Sequence, residues 1–571
     1  MAVPSTSASS SMWNSSSTGT KKQQQEFRML KRNGNIVERI FNRQISISRP
    51  NTQIQRARQF YENLVPSYTI YDIECPDHSF RKFTSDGNYL ICFSRSYQEL
   101  IVYRHRWLSY CYKGEDCECN DLPPKAKNFE SYFSLLYSIP LTSSNEFICK
   151  EFFLYMENNQ FGIVATSTAP DQDAPISEGA IQGVPSIEKI TFYLVRLTDG
   201  EVMDERTFQN DFIHLGHNMG VFLYDDLLSI MSIRYQTIYI LQIRDAGTFV
   251  DVRAIGTYCR EDDELILNSQ TQGILNHGKE TDQEARSDHM ANGMQQNQQL
   301  QSSTFLGGIK QRLLSFIFRS LWNEDTVPMQ RVQHMKRFYY HFQHYVDLVM
   351  WKVQFLDRHH LLIKFGSVDG GVSRSSDYQT AFFAVYNMET TEVVAFYQNS
   401  SEELLCLFEQ YCDQFRVPSP YPLYMRFISS YSNNVCAREQ LRKQKDACIK
   451  NKASSYSQLV RKTLTSLPFN SQSQSPSPYF DQSLFHFDEK LISATDRHRP
   501  CMEHPIKFIS KRCPNSLKFK INPGLEVGGS DGRAKRVVSF LFHPVFPFAL
   551  SIQQSITQPS VITVVNIHLR R

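Results

Sequence analysis

Three groups of residues in this 571-residue chain carry side chains that could do chemistry. Cys111, Cys117 and Cys119 crowd together among Glu115, Asp116 and Glu118. Thiolates are zinc ligands, but a structural zinc site takes four ligands and usually paired Cys-x-x-Cys spacing. This cluster fits no such pattern and reads as an acidic loop with reduced thiols. His334, His341 and His344 fall on one face of a helical stretch. A zinc-binding helix wants His-Glu-x-x-His, and that Glu is missing, so the imidazoles read as a partly packed surface. The third group is cationic and runs through Arg438, Arg442, Lys443, Lys445, Lys450, Lys452, Arg461 and Lys462. Such a run is either a solvated helix face or an electrostatic surface for nuclear import or an acidic partner such as chromatin. Aromatic residues are sparse there, which argues against base reading on a single strand.

Catalytic signatures are missing. The chain has no phosphate-cradling Gly loop and no Gly-x-Ser-x-Gly elbow. A covalent catalytic intermediate on cysteine would need a thiolate in electropositive surroundings. Cys117 and Cys119 sit among carboxylates, while Cys92 and Cys406 fall within apolar strand or helix patterns. Cys436 and Cys448 lie beside the basic run but have no neighbouring His to act as base. The expectation is a chain that is not an enzyme and holds no cofactor and no metal.

The elements that position these residues are mostly strands. Two short amphipathic helices come first. Ile36, Val37, Ile40 and Phe41 form one apolar stripe, and Ile54, Ala57, Tyr61 and Leu64, with Phe60 beside them, form the other. Thr52 is a natural N-cap, and Pro66 ends the second helix after Val65. Helices this short need something to pack on, either the body of the chain or a partner. From Tyr68 the period switches to two. Asp86-Gly87 separates two strand patterns, a hairpin signal because Gly accepts positive φ. Thr198-Asp199-Gly200 repeats it, and four strand patterns succeed one another between Val221 and Ile255 and again between Trp351 and Tyr397. Phe542 to Ala549 occupies the place in its repeat that Phe83 to Leu90 occupies in the first. Short strands grouped in fours predict a mainly β fold, a degenerate β-propeller with an N-terminal helical hairpin and large helical insertions.

The expected partition is a disordered Ser/Gln-rich tail over 1–33, the hairpin over 34–66 and the propeller body over 67–571. The body is interrupted at 261–303 (acidic, then Gln/Asn-rich and disordered), 304–350 (helical, with helices at 305–322 and 329–350), 402–416 (helical) and 430–477 (a basic helix and a Ser/Gln/Pro linker). Lys and Arg total 61 against 58 Asp and Glu, a net charge of +3, so nucleic-acid binding would have to be local. Thirteen irregularly spaced Cys suggest a reducing compartment rather than a disulfide framework. No apolar run is long enough for a membrane span, and the Ser-rich start lacks a secretory apolar region.

The chain resembles the De-etiolated-1 family, most closely its plant members. The resemblance is carried by Arg56 to Pro66, Cys75 to Phe83, Gly247 to Arg253, Val385 to Met388, Ser432 to Asn434, Ser477 to Tyr479 and Phe542 to Pro544. It implies a nuclear, non-catalytic scaffold or substrate-receptor subunit of a cullin-4 ubiquitin ligase. Such an assembly would repress light-driven development by promoting turnover of light-signalling transcription factors. The implied partners are the damaged-DNA-binding adaptor of those ligases, a small adaptor-associated subunit and a ubiquitin-conjugating-enzyme variant, with core histone tails as a further one. On this reading Ile36, Val37, Ile40, Phe41, Ile54, Ala57, Phe60, Tyr61 and Leu64 would bind the adaptor. Arg438, Arg442, Lys443, Lys445, Lys450 and Lys452 would serve nuclear import or, in the alternative reading of the chain as a chromatin-binding module, contact histones or DNA.

Overall fold

β-branched and aromatic residues in short runs, separated by turn residues, give 25 strands among the described residues. The computed structural model describes residues 62–106, 128–142, 145–156, 160–171, 179–260, 263, 308–324, 328–367, 381–411, 441, 460–461, 464, 467–468, 477–480, 484–487, 505–511, 513, 516–524, 535–557 and 560–570. Strand β1 (Tyr68–Glu74) comes first but does not join the strands that follow it. A four-stranded sheet is made in order by β2 (His78–Phe83), β3 (Tyr89–Ser94), β4 (Glu99–His105) and β5 (Phe133–Pro140).

The second sheet takes β6 (Phe147–Ile148), β7 (Leu154–Tyr155), β8 (Phe161–Ser167), β9 (Pro170–Asp171), β10 (Ser186–Arg196) and β11 (Val202–Asp211). The third runs β12 (Val221–Tyr224), β13 (Leu227–Ser232), β14 (Thr237–Arg244), β15 (Thr248–Ile255). The fourth runs β16 (Val349–Phe355), β17 (His360–Gly366), β18 (Phe382–Asn387), β19 (Glu392–Gln398). A three-stranded fifth sheet holds β20 (Phe485–His486), β21 (Ile506–Ser510) and β22 (Leu517–Ile521). The sixth, β23 (Lys535–Phe542), β24 (Ala549–Thr557) and β25 (Ser560–Leu569), takes β1 as its fourth strand. Every pairing is antiparallel, as short hairpin connections allow.

Burial grades across each sheet. In the third, β13 is buried along its whole length while β15 is mostly exposed. A strand buried on both faces must lie in a sheet covered on both sides, and the cores show what covers it. The first and second sheets share a core through Phe93, Val102, Val164 and Val195. The second and third share one through Phe192, Leu194, Leu228 and Leu241. Ile240, Met231, Ile363 and Tyr386 join the third to the fourth. Phe508 and Phe519 of the fifth meet Phe542 and Ala549 of the sixth, and Leu550 and Val565 of the sixth meet Leu90 and Ile101 of the first. The free face of the fourth sheet, with Leu362 and Phe383, is covered by Leu404, Leu405, Leu441, Val460 and Leu464.

The main helical insertion contains α1 (Gly308–Glu324), α2 (Pro328–Tyr340) and α3 (Phe342–Val346), and α4 (Glu402–Tyr411) follows β19. Four details depart from the sequence expectation. The helix predicted over 329–350 stops at Val346, and β16 begins at Val349, because Val349 and Met350 pair with Gly366 and Phe365. The helix expected to reach Val65 has ended before Leu64. Strand β1 belongs with the last strands rather than the first. Cys406, placed within an apolar helix pattern, is exposed on α4. Among the described residues no helix is long and apolar enough to cross a membrane.

Candidate functional site

Of the residues expected to bind an adaptor, Leu64 alone lies within the described residues, as do none of the six named cations of the basic run. Leu64 is half-buried, and its surroundings are fixed by distant parts of the chain. The Tyr479 hydroxyl donates to the Leu64 carbonyl, and Ser510 Oγ donates to the buried Glu62 carboxylate at 3.3 Å. Arg570 donates to the Asn63 carbonyl at 3.3 Å, and the Ser67 N–H donates to the Leu569 carbonyl at 3.0 Å. Val65 packs into the core of the fifth and sixth sheets. Residues 62–67 therefore form a fastened stem, and Leu64 belongs to its attachment. That role for Leu64 was invisible in the apolar periodicity, since Tyr479 stands 415 residues away.

The basic segment is represented by Leu441, Val460 and Leu464, all buried against the fourth sheet. Its apolar positions thus hold it to the body. The Cys111, Cys117 and Cys119 cluster lies outside the described residues.

The three helices of the helical insertion lie within the described residues and carry the expected imidazoles. Helix α1 buries Ile309, Leu313, Leu314 and Ile317 in the core shared by the third and fourth sheets. Its base is stapled by Arg312, which pairs with Asp263 at 2.9 Å with both side chains largely buried. Asp263 also accepts the Cys259 N–H at 2.8 Å and the Arg260 N–H at 3.2 Å. Burial pushes the Asp263 carboxyl up, but Arg312 and these N–H groups outweigh it and hold it below its ordinary range. Lys310 donates to the Val346 carbonyl at 2.9 Å, tying α1 to the end of α3. Gln236 spans from the third sheet to the fourth, donating to the Met350 carbonyl at 3.0 Å and accepting the Met350 N–H at 2.5 Å.

Helix α2 rests on this base through Phe338, which is 4% exposed and edge-on to Phe318 at 5.6 Å and to Phe342 at 5.9 Å. Its other side is unusual. Met329, Val332, Tyr339 and Tyr340 are 76%, 55%, 66% and 81% exposed. Trp322 at the end of α1 is 47% exposed, with the Arg331 guanidinium 4.9 Å from its ring centre. His341 and His344 face each other at 5.9 Å, and His334 is half-buried. No cluster of His, Cys, Asp and Glu that could hold a metal exists among the described residues.

Four of the described thiols are suppressed by burial, while Cys406 and Cys513 are exposed. Burial pushes the Cys75 thiol up to about 12 and Cys149 to about 11, and raises Cys92 and Cys259 as well. A protonated, buried thiol is a poor nucleophile.

Stacked antiparallel sheets with a fastened N-terminal stem and an exposed aromatic helix define a mainly β protein whose visible chemistry lies in its surfaces. The chain belongs to the De-etiolated protein 1 Det1 family, whose model matches residues 150–571. It is 62% identical over 538 residues to the light-mediated development protein DET1 of Solanum lycopersicum, covering 94% of this chain and 99% of that one. With the protein of the same name from Arabidopsis thaliana it shares 59% identity over 550 residues, again covering 94% and 99%. Among solved structures, a putative 6-phosphogluconolactonase from Bacteroides fragilis aligns with a TM-score of 0.18 at 10% identity, over 34% of this chain and 39% of that one. An uncharacterised Listeria monocytogenes protein aligns at 0.17 and 8% identity, over 57% and 67%. Likenesses so slight carry no argument about fold or activity.

Proposed function

We propose that this chain is a non-catalytic scaffold and substrate-receptor subunit of a nuclear cullin-4 ubiquitin ligase, repressing photomorphogenesis through degradation of light-signalling transcription factors. The observation that carries the reading is kinship along nearly the whole chain with two proteins of light-mediated development. The identity is about 60% over 94% of the length. The partners in this reading are the damaged-DNA-binding adaptor, its small associated subunit and a ubiquitin-conjugating-enzyme variant. The body is read as a β-propeller. Support for that comes from sheets that share cores in chain order from the first to the fourth, and from the fifth through the sixth back to the first. The pairing of β1 with β25 is the strand exchange by which such a ring would close.

In this reading the apolar residues of 36–61 engage the adaptor, and the stem at 62–67 fixes where that segment leaves the body. The test is co-purification of the full chain with the adaptor, comparing the natural sequence with Phe41→Ala plus Phe60→Ala. Leu64 is left untouched because it belongs to the attachment. The natural chain should retain the adaptor in equal proportion, and the double variant should lose at least about tenfold in affinity, as removal of aromatic hot spots does. An unchanged melting temperature would separate that loss from unfolding. A natural chain that retains no adaptor would overturn the reading.

A further inference from the structure

Helix α2 is apolar on two sides, and the core accounts for one of them. Phe338 and Met335 point into the body. Met329, Val332, Lys336 and Tyr340, spaced three, four and four residues apart, line the opposite face with Tyr339 at its edge. The stripe is about 17 Å long at 1.5 Å per residue. Solitary exposed apolar residues are commonplace, but a continuous run of them marks an interaction surface. Aromatic and Met side chains are also those enriched at the centres of protein interfaces.

The charge around the stripe says what would cover it. From Pro328 to Val346 there is no carboxylate at all, while Lys336 sits within the stripe and Arg337 flanks it. Arg331 and the Trp322 ring meet on the other side of α2, where Trp322 stacks on Phe318. The nearest carboxylates in sequence are Asp325 before it and Asp347 after it. A surface of this kind attracts anionic side chains and rewards apolar ones. Nucleic acid fits it less well, because Met329 and Val332 offer nothing to phosphates and the exposed cations of α2 are Lys336 and Arg337. The base is also prepared: the buried face of α1 and the Arg312–Asp263 pair hold the insertion in place, and Lys310 ties α1 to α3, so little ordering remains to be done on binding.

We propose that the outward face of α2 is a docking surface for an acidic segment of a partner protein that also carries apolar side chains. This surface is distinct from the N-terminal segment and its assignment does not depend on which ligase the chain joins. The experiment uses the full chain and a short fluorescein-labelled synthetic peptide of Asp and Glu interleaved with Leu and Phe, followed by fluorescence anisotropy. A Lys/Leu/Phe peptide, an Asp/Glu/Ser peptide and an oligothymidylate serve as the comparison probes. The acidic apolar peptide should bind at least about tenfold more tightly than any of the three, and more weakly as salt is raised. Met329→Ala plus Tyr340→Ala should cost about tenfold, as should Lys336→Glu alone, with thermal unfolding unchanged because these side chains face solvent. A zero-length carbodiimide should couple Lys336 to the peptide. Binding that ignores both variants would overturn the proposal, as would equal or tighter binding of the oligothymidylate. So would a carbodiimide link from Lys336 to carboxylates of residues 264–307 of the same chain or to a second copy, since the face would then have another occupant.

Discussion

The ring of His543 makes three hydrogen bonds that together fix its protonation. Its Nδ1 accepts the backbone N–H groups of Val545 at 3.1 Å and Phe546 at 3.0 Å. That nitrogen cannot also carry a proton, so Nε2 bears the hydrogen and donates it to the Gly87 carbonyl at 3.1 Å. Burial, with the His105 ring tilted against it at 5.1 Å, lowers the pKa of His543 from 6.5 to about 3. His105 falls to about 4 by burial, and so does His568, which lies between Thr69 and Ser551. In the unfolded chain all three would take up protons near 6.5. Their neutral burial therefore stabilises the fold fully above about pH 6.5, and that contribution drains away as pH falls toward 4. Between pH 7 and 5 the loss is about 2 kcal/mol for each of His543 and His568. Urea midpoints measured across that range should fall accordingly, and a flat profile would contradict neutral burial. Gly87 on the other side of this contact has φ +76°, and a Cβ there would meet the His543 ring at 2.1 Å. Gly87→Ala combines left-handed strain with a collision, so a loss of about 3 kcal/mol is expected in the same assay. Adding His543→Ala to Gly87→Ala should make the second substitution cost less than it does alone.

Elements with strong local signals were legible in the sequence. The Asp86-Gly87 and Asp199-Gly200 turns join β2 to β3 and β10 to β11, and both glycines take positive φ. The four strands between Val221 and Ile255 fold as one sheet, as do those between Val349 and Gln398. Even the kinship of Phe542–Ala549 with Phe83–Leu90 has a structural meaning: each spans the turn between the first two strands of its sheet, and the two turns touch at His543 and Gly87. What escaped the sequence has common causes. Strand β5 exposes Leu135 and Leu136 side by side, which breaks the alternation that marks a strand. Val349 and Met350 continue the apolar spacing of the helices before them, so only their partners in β17 reveal them as strand. The outward stripe of α2 was concealed because apolar residues on two sides of a helix blur the single face that periodicity detects. The site residues were harder still, since Leu64 is defined by Tyr479 and Trp322 by Arg331 from the next helix.

At the scale of the whole molecule, β1 and β25 close the sixth sheet, with Tyr68 opposite Leu569 and Glu74 opposite Val564. Their ladder slips between Ile70 and Ile73, where Asp72 takes φ +56°. Asn566, fully buried, repairs the slip. Its Oδ1 accepts the Asp72 N–H at 3.1 Å, and its Nδ2 donates to the Pro523 carbonyl at 3.1 Å and to Ser551 at 3.2 Å. Asn566→Leu leaves those groups unmet at about 1–3 kcal/mol each. The urea midpoint should fall while far-ultraviolet dichroism and tryptophan fluorescence still change together, because the sixth sheet, which this seam closes, shares cores with the fifth and the first. Separate transitions would mean that the sheets stand independently. The same seam has a consequence for how the protein is made. At roughly 5–20 residues per second, strand 68–74 leaves the ribosome on the order of half a minute or more before 560–569 is synthesised. Until then its exposed edge has no mate and is open to mispairing. A nonsense codon falling after residue 559 would remove β25 and leave β1 permanently without its mate, so a truncation there should be as damaging as a much earlier one.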